Sequence, residues 1–324
     1  MKKVFVLLSS VVLLSLILTA CGPQATPAAP AAAQVVTVVV TQAPSATTTS
    51  VPPTVASTPV ATVDPSTLAQ KGKLLICSDI PYPPFESYDD NGNPVGLDVD
   101  MGNEIANRLG LQAIVVNSVF DTIIAAVTGG KCDIILSDMN ITATRNKQIS
   151  FIPYLKVGQS ILVAKGNPKN INAPTDLCGN SVAAESGTTE VDYLQGTGDY
   201  KGAGLPADCT KAGKPAVTVV VTQKDSDALQ QLQAGKVVAY FADTPVAGQY
   251  AAKNPDQFQL VGQPLQPMPV GIGIPCGGAS DCTSAPLTPL GQAVQTALKS
   301  MMADGTYAKI LDKYGAKDSA ITLP

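Results

Sequence analysis

The chain has 324 residues, a net charge of −4, seven cysteines and no histidine. That length suits two ordinary domains once non-globular segments are removed. The near-balanced charge, with no basic stripe, argues against a nucleic-acid partner. The missing histidine excludes Ser-His-Asp triads, Cys-His pairs and His-ligated zinc, and no cofactor or metal is expected.

Lys2 and Lys3 precede an apolar run from Val4 to Ile17 that ends in Leu18-Thr19-Ala20-Cys21-Gly22. The run is short for a membrane span of roughly 20 residues and has the length of a secretory signal core. Leu-Thr-Ala-Cys resembles the bacterial lipobox, which implies that residues 1–20 are a signal peptide and that Cys21 is lipidated. Residues 21–68 read as a disordered linker rich in Pro, Ala, Thr and Val, and from Gly22 to Val63 it carries no charge. Such a composition builds no packed core, and as a coil it spans about 35–40 Å. Six cysteines beyond the leader suit an oxidising compartment.

Leu74-Leu75-Ile76-Cys77 reads as the first strand, followed by a loop bearing Asp79, Tyr82 and Phe85. Asp100 is expected to cap a helix from Met101 to Leu109 that Gly110 ends. Ile114-Val115-Val116 is the next strand, and Phe120-Asp121 introduces a helix closed by Gly129-Gly130. Ile134 to Leu136 forms a third strand ending in a polar loop, Ser137-Asp138-Met139-Asn140-Ile141, and Thr142 then caps a short helix carrying Arg145. Alternation of strand and helix requires parallel crossovers. Arg145 beside free backbone N–H groups forms a carboxylate receptor, because the guanidinium fork matches a carboxylate.

Further on, Gln159–Ala164, Ser181–Ala184, Val217–Thr222, Val237–Phe241, Phe258–Val261 and Gly271–Ile274 read as strands. Glu185-Ser186-Gly187-Thr188-Thr189-Glu190 is a turn feeding a helix. Asp225–Leu232, Thr244–Lys253, Leu287–Met302 and Tyr307–Tyr314 read as helices, and Asp243 ends a strand. From their separations, Cys178 is expected to pair with Cys209 and Cys276 with Cys282. Cys77 and Cys132 sit roughly 10 Å out of register if their strands are aligned at about 3.3 Å per residue, so they are expected to remain buried thiols.

Lys131 to Arg145, with Cys77-Ser78-Asp79-Ile80-Pro81-Tyr82-Pro83-Pro84-Phe85, Gly96-Leu97-Asp98-Val99-Asp100 and Asp304-Gly305-Thr306-Tyr307, resembles the family 3 (amino-acid-binding) extracellular solute-binding proteins of bacterial ABC importers. The resemblance implies an α/β, two-lobed periplasmic-binding-protein type II fold with a hinge of two crossing strands. Residues 69–158 and 268–324 would form one lobe and 159–267 the other. It further implies that Asp79 faces the ligand's distal group, that Tyr82 and Phe120 are aromatic walls, and that Ser137, Asp138 and Asn140 line the loop beside the carboxylate-binding Arg145. Asp138 departs from the pattern, because the family commonly has a small or hydroxyl residue there. In the second lobe Thr188 and Thr189 would complete the carboxylate cradle with hydroxyl and backbone N–H groups, Glu185 and Glu190 would lie near the cleft, and Asp243 would pair the α-ammonium.

An amino acid needs a cation for its carboxylate and an anion for its ammonium, and drawing these from different lobes couples binding to lobe closure. With Arg145 committed to the carboxylate, no further cation is assigned to balance Asp79, Asp138, Glu185 and Glu190. That charge balance favours arginine, lysine or ornithine, with glutamine as runner-up. The expected protein is a lipid-anchored extracytoplasmic monomer that delivers its ligand to an ABC permease with its ATPase. A ligand-presenting surface sensor, and a dehydratase or lyase using Glu185 or Glu190 as general acid, are the competing readings.

Overall fold

The computed structural model describes residues 59–265 and 267–323. The expected signal peptide, Cys21 and residues 21–58 of the linker lie outside the described residues. In chain order the elements are β1 (Lys73–Ser78), β2 (Ser87–Tyr88), β3 (Pro94–Val95), α1 (Leu97–Arg108), β4 (Gln112–Asn117), α2 (Ile123–Thr128), β5 (Ile134–Ile135), α3 (Ala143–Asn146), β6 (Ser150–Val157) and β7 (Gln159–Ala164). There follow β8 (Ser181–Glu185), α4 (Thr189–Gln195), α5 (Gly204–Lys211), β9 (Thr218–Thr222), α6 (Asp225–Gln233), β10 (Ala239–Asp243), α7 (Thr244–Lys253), β11 (Phe258–Val261), β12 (Met268–Ile274), α8 (Pro289–Ala303) and α9 (Thr306–Lys313).

Two five-stranded sheets result, ordered β4-β1-β5-β12-β6 and β11-β7-β10-β8-β9. In the first, β1 runs parallel to β4 and β5, while β12 is antiparallel to β5 and β6. In the second, β8 runs parallel to β9 and β10, and β7 is antiparallel to β10 and β11. Along β1, Leu74 and Ile76 enter a core with α1, α8 and α9, whereas Leu75 and Cys77 enter another with α2. This strict alternation buries both faces of the sheet, as crossover helices require. The second sheet likewise has a core on each face.

Gly158 carries the chain from the first sheet to the second, and the chain returns between β11 and β12. The two crossings touch. Leu265 N donates to Gln159 O at 2.8 Å, and a Cβ on Gly158 would lie 2.6 Å from Leu265 O, so only glycine allows this approach. Residues 59–68, expected as the end of the disordered linker, instead lie against the first lobe, with Val60 N donating to Arg108 O at 2.9 Å and Leu68 in its core.

Three further expectations need correction. First, α1 begins at Leu97, so Asp100 lies within its first turn and is not its cap. Gly96, at φ 142, fits under Phe85 where any Cβ would collide with Phe85 O. Leu97 N and Asp98 N donate to Pro84 O and Phe85 O, so the helix starts without a side-chain cap. Asp100 instead accepts from Lys313 Nζ and Tyr314 Oη.

Second, Cys77 and Cys132 form a disulfide with Cα atoms 5.6 Å apart. The register is as the parallel pairing requires, with Cys77 opposite Ile135. However, β5 has only two residues, and bends at Lys131 and Asp133 break the line of the strand before it. Cys132 therefore joins the α2-side core with Cys77 instead of lying in line with β5. The Cys178–Cys209 and Cys276–Cys282 disulfides form as expected. Third, a cation does balance Asp79, as described below.

Candidate functional site

Every parallel strand end points at one place. Asp79 follows β1, Phe120 lies beyond β4, Ser137 and Asp138 follow β5, Glu185 ends β8, Lys224 lies just beyond β9, and Asp243 ends β10. Carboxyl ends of parallel strands are where open α/β sheets hold ligands, since the chain there leaves the sheet for loops and helix N-termini. Between the two sheets lies a narrow cleft, lined by all twelve residues expected from the sequence.

Arg145 bridges it. Thr142 caps α3, its hydroxyl accepting from Arg145 N at 3.1 Å, and this fixes the root of the side chain. The guanidinium donates to Asn140 O at 2.8 Å and across the cleft to Gly187 O at 2.9 Å, and its carbon lies 5.3 Å from the Phe120 ring centroid. Gly187 precedes α4, whose cap is Thr188. The Thr188 hydroxyl accepts from Val191 N and donates to Glu185 O, so it shapes the turn. Thr189 Oγ1 donates to Asn140 Oδ1 at 2.6 Å and accepts from Gln159 Nε2 at 2.8 Å.

The acids are buried and unevenly satisfied. Asp79 Oδ2 accepts from Phe120 N at 2.5 Å and its Oδ1 from Lys224 Nζ, and Asp79 N donates to Ser137 Oγ at 2.8 Å. Ser137 Oγ in turn donates to Glu86 Oε1 at 2.6 Å, which commits its hydroxyl to the cleft floor. Tyr82 Oη donates to Asp243 Oδ2 at 3.0 Å. Asp138 has no partner for either carboxyl oxygen, and Glu185, Glu190 and Asp243 each leave one without. Burial pushes Glu185 up to about 10, with Asp79 and Asp225 adding to the rise, and pushes Glu190 up to about 7, opposed partly by Arg145. Burial lowers the guanidinium of Arg145, and Glu190 is the strongest of the acids that offset this.

Lys224 is the cation that the sequence reading lacked. It sits at the N-cap of α6 and reaches across the cleft to Asp79 and, at 3.4 Å, to Ile80 O. Its position beyond the Val-rich β9 is the signal that the strand-end rule could have used. Glu86 and Asp98 were also missed. Asp98 accepts from both Tyr154 Oη and Asp138 N, and burial raises it to about 7. Both are buried acids beneath the cleft, and only the tertiary fold brings them there. No group of three or more Cys, Asp or Glu is placed to hold a metal among the described residues.

Residues 74–317 match the profile of the bacterial extracellular solute-binding proteins, family 3. The lysine/arginine/ornithine-binding periplasmic protein of Escherichia coli (strain K12) is 32% identical over 244 residues, covering 74% of this chain and 86% of that protein. The ABC transporter arginine-binding protein 1 of the same organism is 28% identical, covering 72% and 86%. Among solved structures, an ancestral arginine-binding protein bound to arginine superposes with a TM-score of 0.64 at 32% identity, covering 75% of this chain and 98% of that one. The match spans both sheets and every strand end around the cleft, and the chain belongs to the bacterial extracellular solute-binding proteins, family 3.

Proposed function

We propose that this protein captures a cationic amino acid, arginine, lysine or ornithine, between its lobes and delivers it to an ABC permease. The observation that carries the reading is the charge of the cleft. Asp79, Asp138, Glu185, Glu190 and Asp243 line it, against Arg145 and Lys224 as cations. With Arg145 on the α-carboxylate and Asp243 on the α-ammonium, a surplus of carboxyl groups remains for the side chain. Lys224 neutralises Asp79, whereas burial raises Glu185 and Glu190 and leaves them short of counter-charge, so a cationic side chain is the ligand group that lets them ionise. The names of the Escherichia coli relatives agree with this choice.

In this reading residues 1–20 are removed, Cys21 carries the lipid, and the linker holds the lobes off the membrane. Residues 69–158 with 268–324 form one lobe and 159–267 the other. Calorimetry with arginine, lysine, ornithine, glutamine and glutamate tests it. Tightest binding is expected for one of the three cations, and tighter binding of glutamate than of arginine would overturn the assignment. A Cys21→Ala variant should leave the membrane fraction for the soluble one.

A further inference from the structure

Asp138 is held in an unusual way. Its φ is +41°, a backbone region that non-glycine residues seldom adopt, and its amide is anchored to Asp98 Oδ2 at 2.8 Å. Asp98 is itself fixed by Tyr154, at 2.7 and 2.8 Å. This anchoring leaves the side chain 2% exposed and lining the cleft, with no partner for either oxygen. Asp243, from the other lobe, lines the same cleft and is likewise buried. One Asp243 oxygen takes the Tyr82 hydroxyl and the other has no partner.

Two bare carboxylates lining one narrow cleft, away from water, repel strongly. The surroundings do not relieve this. Glu190 from α4 adds negative charge, and Glu86 and Asp98 stand behind Asp138. Of the cations at the cleft, Arg145 spends donors on the carbonyls of Asn140 and Gly187, and Lys224 is held by Asp79. A proton shared by the pair removes the repulsion, and so does an ammonium group placed between them.

We infer that Asp138 and Asp243, one from each lobe, form a joint seat for the ligand's α-ammonium, and that the ammonium displaces a proton which the pair otherwise shares. This rests on the amino-acid reading above and adds to it a second acid and a proton. The carboxyl O–H bond breaks, the proton leaves to solvent, and the ammonium N–H groups take its place. Closure then brings the two acids together at low cost only when a proton or an ammonium accompanies them. A quaternary ammonium, with no N–H to donate, fits poorly.

Isothermal titration of the full chain with arginine, in two buffers of different ionisation enthalpy at one pH, reads the proton directly. Release of about one proton per arginine is expected for the wild type, with release close to zero for Asp138→Asn. The wild-type dissociation constant should fall by up to about tenfold per pH unit while the pair is still protonated, and Asp138→Asn should flatten that slope. Tight wild-type binding with identical heats in both buffers would overturn this inference alone. No binding of arginine, lysine or ornithine would overturn the amino-acid reading and the inference with it.

Discussion

Tyr82 and Asp243 hold each other twice across the cleft: the phenol donates to Asp243 Oδ2 at 3.0 Å and accepts from Asp243 N at 3.2 Å. Tyr82 follows the first strand of one lobe and Asp243 ends a strand of the other, so this one hydroxyl joins them. Burial pushes its ionisation well up, helped by the charge of Asp243, and it stays a donor at neutral pH. Tyr82→Phe keeps the ring and removes both bonds. Leaving a buried carboxylate oxygen unpaired costs about 1–3 kcal/mol, so ligand affinity should fall roughly five- to 150-fold with little change in the unfolding of the unliganded chain. Calorimetry and thermal melts, run side by side, check both halves.

Gly187 meets Asp121 face to face. A Cβ on Gly187 would lie 2.7 Å from Asp121 Cα, and its φ of +78° already favours glycine. Gly187→Ala should therefore fold, at a cost of about 1–2 kcal/mol for the left-handed conformation, yet fail to close fully. Small-angle scattering with saturating ligand should show less compaction than in the wild type.

Arg145→Ala removes the guanidinium that crosses to Gly187 O. Losing one member of a buried charge pair costs about 2–5 kcal/mol, which corresponds to a roughly thirtyfold to several-thousandfold loss of affinity. Wild-type affinity in this variant would sink the carboxylate role.

The Cys77–Cys132 disulfide closes a segment of 55 residues, for which chain entropy alone gives about 4 kcal/mol. Non-reducing peptide maps should show this linkage. The Cys77→Ala, Cys132→Ala double variant should melt well below the wild type.

Asp225 and Asp98 predict how the unliganded protein responds to pH. Burial raises each to about 7 from 3.8, although tyrosine hydroxyls donate to both. The folded chain thus keeps protons up to about pH 7 that the unfolded chain gives up near 4, so stability falls as pH rises across that window. Each group contributes up to about 1.4 kcal/mol per pH unit. The melting temperature should be higher at pH 5 than at pH 7.5, and Asp225→Asn should flatten the dependence.

How far the sequence could be read depended on whether a residue's role was local. Thr142 caps α3 through a bond to its own third neighbour and was legible; Thr188 caps α4 in the same way, although there only the turn feeding that helix was legible. Asp243 was placed because a strand pattern ends there. Lys224 was not, since its partner Asp79 lies 145 positions away in sequence and in the other lobe. Asp100 failed for a related reason: Pro84 and Phe85, distant carbonyls, take over the work of a cap at α1. The cysteine pair 77 and 132 failed because the bends before β5 leave no mark as strong as a proline or glycine in the strand itself.

The contact of Gly158 and Gln159 with Leu265 constrains how the molecule can move. Two separate tethers between bodies would permit both twisting and sliding. Here the tethers are bonded side by side through Leu265 N and Gln159 O, which leaves them little freedom other than to bend together. Opening is then a rotation about one line, and its progress is a single number. One pair of dyes, with one on α1 and the other on α5, should report the whole trajectory, and any second pair should follow it with the same time constant.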